Sequence, residues 1–165
     1  MKVYWRIVRS TTGFYDRVIG WYTRSDCVHA EFHWPITDVH AGAYFGAQPK
    51  GGVHARDSNY LGTVAYDVYA SDIPDASVAK LNTFLVAQTG KPYDMRAIFN
   101  MGVFHGDVTN TKRWFCSELV FYALAHVGYQ VLRAPLRQAD RITPRDLALA
   151  TKPVLVYSYR PKKGK

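Results

Sequence analysis

Two residue types in this chain could carry covalent chemistry together. One is Cys116, in the run Trp114-Phe115-Cys116-Ser117-Glu118-Leu119-Val120. The other is His29, followed two residues on by an acid, Glu31. A thiol becomes a nucleophile when a base takes its proton and a further group orients that base. The chemistry would be attack on a carbonyl carbon, with a thioester as intermediate. The bland alternatives are a small, inert core cysteine and a structural strand histidine.

The elements needed to position these groups are legible. From Phe115 to Val127 apolar residues cover nearly every face, as in a helix buried all round, and Gly128 can end it. Cys116 then sits where backbone N–H groups lack partners and the helix dipole is positive, a field that favours thiolate. Lys112 and Arg113, just upstream, act in the same sense. Cys27 to Trp34 reads as a strand, with Cys27, His29, Glu31 and His33 on one face. Glu31 can therefore approach His29. Cys27 shares that face and reads as a packed thiol.

Around these, Lys2 to Arg9 alternates as a strand and Tyr15 to Thr23 reads as a short helix. Val39 to Gln48 and Val53 to Arg56 read as paired strands across Pro49-Lys50-Gly51-Gly52, and Gly62 to Tyr69 as a further strand. A helix is expected from Ala76 to Gln88, stopped by Gly90-Lys91-Pro92-Tyr93-Asp94, with a short helix at Met95 to Met101. His105 to Lys112 and Ala134 to Arg141 read as loops. Thr143 and Pro144 start a short helix, and Val154 to Tyr159 is a last strand. His126 reads as a core histidine of the cysteine helix.

The 165 residues suit one domain over 1–160, with a basic tail at 161–165. Two cysteines make no disulfide framework. The start has no uninterrupted apolar stretch, so no signal peptide is read and a cytoplasmic location is expected. No apolar run reaches the roughly 18 residues of a membrane span. The net charge of +8 reads first as a basic surface, with a nucleic-acid patch as the lesser reading. His29 and His33 on a strand lie roughly 13 Å apart along the chain, too far to share one zinc ion. No metal or cofactor is expected.

The order of motifs resembles the permuted NlpC-type papain-like cysteine hydrolases, the YiiX-like group. Three patches carry it: His29-Ala30-Glu31, Gly90-Lys91-Pro92-Tyr93-Asp94, and Phe115 to Val120 with Gly128. The histidine precedes the cysteine, as in the permuted group. The resemblance implies an α+β fold, a small antiparallel sheet packed against helices with the nucleophile at the N-terminus of a buried helix. It implies Cys116 as nucleophile and His29 as general base. It implies Tyr93, with the first helical turn at Ser117, as oxyanion or substrate contacts. Glu31 matches the family's acid, while the third member could instead be His40, Tyr44 or Gln48 on the next strand. Val28 departs from the serine that many relatives carry. The implied activity is cleavage of an amide bond, in cell-wall peptide or a lipid-linked substrate, with acyl transfer as a near variant. The competing function is a non-catalytic module whose basic, aromatic groove binds nucleic acid or glycan.

Overall fold

A computed structural model of the chain describes residues 1–9, 13–95, 111–134 and 136–161. Six strands form one sheet: β1 (Lys2–Arg9), β2 (Cys27–Trp34), β3 (Ala43–Gln48), β4 (Gly52–Asp57), β5 (Ala65–Asp72) and β6 (Val154–Tyr159). Their order is β4-β3-β2-β1-β5-β6, and every pairing is antiparallel. Among the described residues, four helices accompany them: α1 (Phe14–Thr23), α2 (Asp75–Gln88), α3 (Cys116–His126) and α4 (Pro144–Ala148). The architecture is thus α+β.

Alternation along the strands sorts the side chains. Val3, Trp5 and Ile7 of β1, Ala30 and Phe32 of β2, and Phe45 and Ala47 of β3 join one core cluster with Leu81, Leu85, Leu119, Val120 and Phe121 from the helices. Each of the valine, leucine, isoleucine and phenylalanine side chains among them contributes about 1.5–3 kcal/mol on burial. The intervening positions of β1 and β2 are polar yet also buried: Arg6, His29, Glu31 and His33. Arg6 lies opposite Glu31 in the β1–β2 register.

α3 is buried from Cys116 through Phe121, as its apolar run implies. Gly128, at φ +85°, ends it, with Gly128 N–H on Ala125 O and Tyr129 N–H on Leu124 O. Its start is held by the turn after α2. Tyr93 and Trp114 form an isolated parallel bridge, with Asp94 N–H on Trp114 O (3.0 Å) and Trp114 N–H on Pro92 O (3.2 Å). The same turn grips β4 through Val53 N–H to Lys91 O (2.9 Å) and Gly90 N–H to Val53 O (2.8 Å). Tyr93 and Cys116 are therefore fixed to one joint.

Some boundaries differ from the sequence reading. β3 starts at Ala43 because the preceding residues turn on Asp38, whose carboxylate accepts from His40 N–H. β5 starts at Ala65 because Gly62, at φ +67°, closes a turn onto Asn59 O. The expected loop at 134–141 contains a 3-10 segment, Leu136–Arg141. His126 is exposed rather than a core residue, and stacks on Phe84 and Tyr122. Thr143 caps α4 as expected, accepting from Asp146 N–H. The short helix expected at Met95–Met101 lies, beyond Met95, outside the described residues, as does His105–Lys112 up to residue 110 and the tail from 162.

Gly46 on β3 has no room for a side chain, since a Cβ there would stand 2.8 Å from Glu31 Cβ. Gly46→Ala should cost about 1–3 kcal/mol by overpacking this site. Denaturant unfolding measures it, and an unchanged midpoint would contradict the packing described.

Candidate active site

β2 brings His29 and Glu31 to one face, with His29 Nε2 3.2 Å from Glu31 Oε2. Glu31 is wholly buried and held from two sides. Arg6 donates to Oε1 through Nε (2.8 Å) and Nη2 (2.5 Å), and Tyr60 OH donates to Oε2 (2.6 Å). Gln48 Nε2 lies 3.0 Å from His29 Nε2 and donates to Tyr60 OH (2.6 Å). The His29 ring is also coupled electrostatically to the Cys116 side chain.

Cys116 is the first residue of α3, behind the N-cap Phe115. The first intrahelical bond runs from Leu119 N–H to Phe115 O, so the N–H groups of residues 116–118 have no partner within the helix. The Tyr93 side chain is coupled electrostatically to Cys116, and its ring packs on Phe115. Cys116, His29, Glu31 and Tyr93 thus converge, and Gln48 joins them.

Other expected residues stand apart. The Ser117 hydroxyl donates to Ile142 O (2.5 Å), so its side chain anchors the segment before α4 rather than facing the site. Only its backbone N–H remains for an oxyanion role. His40 is exposed in the turn before β3, away from this network. The Tyr44 ring lies under Arg6, 3.2 Å from the guanidinium carbon, and so supports the residue that clamps Glu31. Glu118 accepts from the Phe115 N–H (3.1 Å) and caps α3, with burial pushing its carboxyl up to about 8. Cys27 is a buried thiol bonded through its backbone to Ser25. Arg6 and Tyr60 were not singled out from the sequence. The alternation of β1 places Arg6 on the face opposite Val3, Trp5 and Ile7, which was the available signal. Tyr60, in a turn, had none.

The electrostatics follow the geometry. Burial is the largest influence on His29 and pushes it down. The charges of Cys116 and Glu31, with hydrogen bonds to both, outweigh burial and raise it to about 10. For Glu31, burial pushes up, but Arg6, His29 and Tyr60 together hold it down at about 2. His33 is lowered to about 4 by burial and by Arg6, so it is neutral and no second base. Burial raises Asp16 on α1, opposed by the charge of His29. Asp16 lines an open cleft of about 460 Å³ with Gly13, Tyr15, Gln48, Pro49 and Lys50. Through Gln48 this cleft meets the His29 network.

No protein-family model matches the chain, and no curated protein matches it in sequence. The fold itself is known: a six-stranded antiparallel sheet and helices in this arrangement occur among solved structures. One of them is the metalloprotein YiiX from Escherichia coli O157:H7, with a TM-score of 0.70 over 96% of this chain and 98% of that one, at 19% identity. The word metalloprotein belongs to that protein. Here, no group of three or more His, Cys, Asp or Glu side chains is placed to hold a metal ion among the described residues. Glu31 is already paired with the Arg6 guanidinium, a cation in the place a metal would compete for. Among the described residues the donor set does not fit a metal at this site. No helix among the described residues is long and apolar enough to cross a membrane.

The linkage to stability has a definite sign. His29, raised, contributes stability that is complete below its ordinary value of 6.5 and is lost as pH rises through about 10. Glu31, lowered, contributes above its ordinary 4.5 and loses that contribution as pH falls through about 2. Glu31→Gln should leave Arg6 buried without its anion, at a cost of about 3–5 kcal/mol. It should also lower the His29 titration midpoint, read by histidine NMR. An unmoved His29 midpoint would contradict the pairing.

Proposed function

We propose that the chain is a cysteine amidohydrolase or peptidase of the permuted NlpC-type papain-like kind. The observation that carries this reading is one imidazole placed between the cysteine at the head of α3 and a buried, arginine-clamped carboxylate. The likeness of fold to YiiX supports it.

In this reading His29 takes the Cys116 proton, giving a thiolate and an imidazolium. The thiolate attacks the amide carbon. The oxyanion is met by the Cys116 and Ser117 backbone N–H groups and by the Tyr93 hydroxyl. His29 then gives its proton to the leaving amine as the C–N bond breaks, leaving a thioester on Cys116. His29 next takes a proton from water, the hydroxide attacks the thioester, and the thiolate departs with the acid released. Glu31 keeps the imidazole oriented and stabilises its charged form. Arg6, Tyr60 and Gln48 position Glu31 and His29. The cleft between Asp16 and Lys50 is the route by which an amide reaches the sulfur. The substrate class is a peptide amide, as in cell-wall peptide, or a lipid-linked amide or ester.

Incubation with activated acyl esters and peptide amides, followed by intact-mass analysis, tests this reading. The expected result is a mass increment equal to the acyl group, mapped to Cys116 and absent in Cys116→Ala and His29→Ala. Tyr93→Phe should slow turnover by about 10- to 1,000-fold if the hydroxyl meets the oxyanion. Turnover unaffected by Cys116→Ala, together with DNA binding that falls steeply with salt, would replace the enzyme with a binding module.

A further inference from the structure

α1 turns two large aromatic side chains away from the protein. Ile19 and Thr23 are buried, whereas Phe14 is 73% exposed and Trp21 is 81% exposed. Phe14, Arg17, Val18 and Trp21 recur at helical spacing and line one shallow dent of about 450 Å³. Single exposed apolar residues are ordinary, but a contiguous apolar helix face calls for something to cover it.

Charge identifies the cover. Arg17 lies within the dent, and Arg24 is exposed at the end of α1. Lys50 stands on the neighbouring cleft. None of the three makes an ion pair with an acidic side chain among the described residues. The whole chain carries +8. Tryptophan and phenylalanine beside arginine on one helix face is the composition that settles at a lipid interface, rings among the acyl chains and cations among the headgroups.

We propose that α1 docks the protein on an anionic lipid bilayer through Phe14, Val18 and Trp21, with Arg17 and Arg24 on the headgroups. Tyr15 and Asp16 of the same helix line the cleft that leads to Gln48 and His29. Docking therefore brings the mouth of that cleft to the headgroup layer. The docking stands on α1 alone. That the bilayer also presents the scissile amide or ester rests on the hydrolase reading.

Co-sedimentation of the full chain with vesicles tests the proposal, using phosphatidylcholine alone and phosphatidylcholine mixed with phosphatidylglycerol. Binding should favour the anionic vesicles and weaken with added salt. Phe14→Ala with Trp21→Ala should reduce partitioning about tenfold or more. Arg17→Glu should remove the preference for anionic lipid. These positions are exposed, so unchanged circular dichroism should accompany the loss. Cys116→Ala should bind as well as the unaltered chain, which separates failure of docking from failure of the hydrolase reading. Equal binding to both vesicle types would overturn the proposal, as would full binding by the double variant. A dimer that dissociates on Trp21→Ala, in a protein that ignores vesicles, would overturn it in favour of a second copy of this chain.

Discussion

The buried pair of Arg6 and Glu31 is the constraint on which the site depends. Both side chains are almost wholly removed from water, at 2% and 0% exposure. Burying two such charges costs several kcal/mol each, so the pair persists only with close geometry and further hydrogen bonds. Here it has both. Two guanidinium nitrogens meet one carboxylate oxygen, a tyrosine hydroxyl meets the other, and an aromatic ring supports the guanidinium. The pair also ties fold to chemistry. It forms only in the β1–β2 register that sets Arg6 opposite Glu31, and a slip of one residue would put the two side chains on opposite faces of the sheet.

From that pair outward the site is assembled by separate parts of the chain. β2 supplies His29, the turn after α2 supplies Tyr93, and the head of α3 supplies Cys116. Hydrogen bonds join residues 90–94 to β4 and to Trp114, just ahead of α3. Gln88 reinforces the joint by accepting from the Trp114 indole (3.1 Å). Cys116 is itself wholly buried, and the open cleft nearest this network is the one lined by Gln48. A thiol so enclosed faces the imidazole in a low-dielectric setting, where charge interactions are strong.

Much of this was legible in the sequence, for identifiable reasons. Strand alternation put His29 and Glu31 on one face, and an apolar run with a polar first turn put Cys116 at a helix head. Gly-x-Pro-Tyr-Asp marked a turn. These are local patterns, set within a few residues. The groups that complete the site are brought in over long range. Arg6 meets Glu31 across a strand pairing, and Tyr60 reaches it from a turn between β4 and β5. Choosing among His40, Tyr44 and Gln48 required the β2–β3 register, which alternation alone does not fix. Ser117 shows the converse: its position in the first turn was read, but not the carbonyl of Ile142 that takes its hydroxyl.

The central interaction is the coupling of His29 to Cys116 and Glu31, which holds the imidazole in its charged form. The most direct test is the titration of His29 by histidine NMR, in the unaltered chain and in Cys116→Ser, because it requires no reagent to enter the site. The expected result is a midpoint well above the ordinary 6.5, toward about 10, that falls in Cys116→Ser. A midpoint near 6.5 that Cys116→Ser leaves unmoved would contradict it.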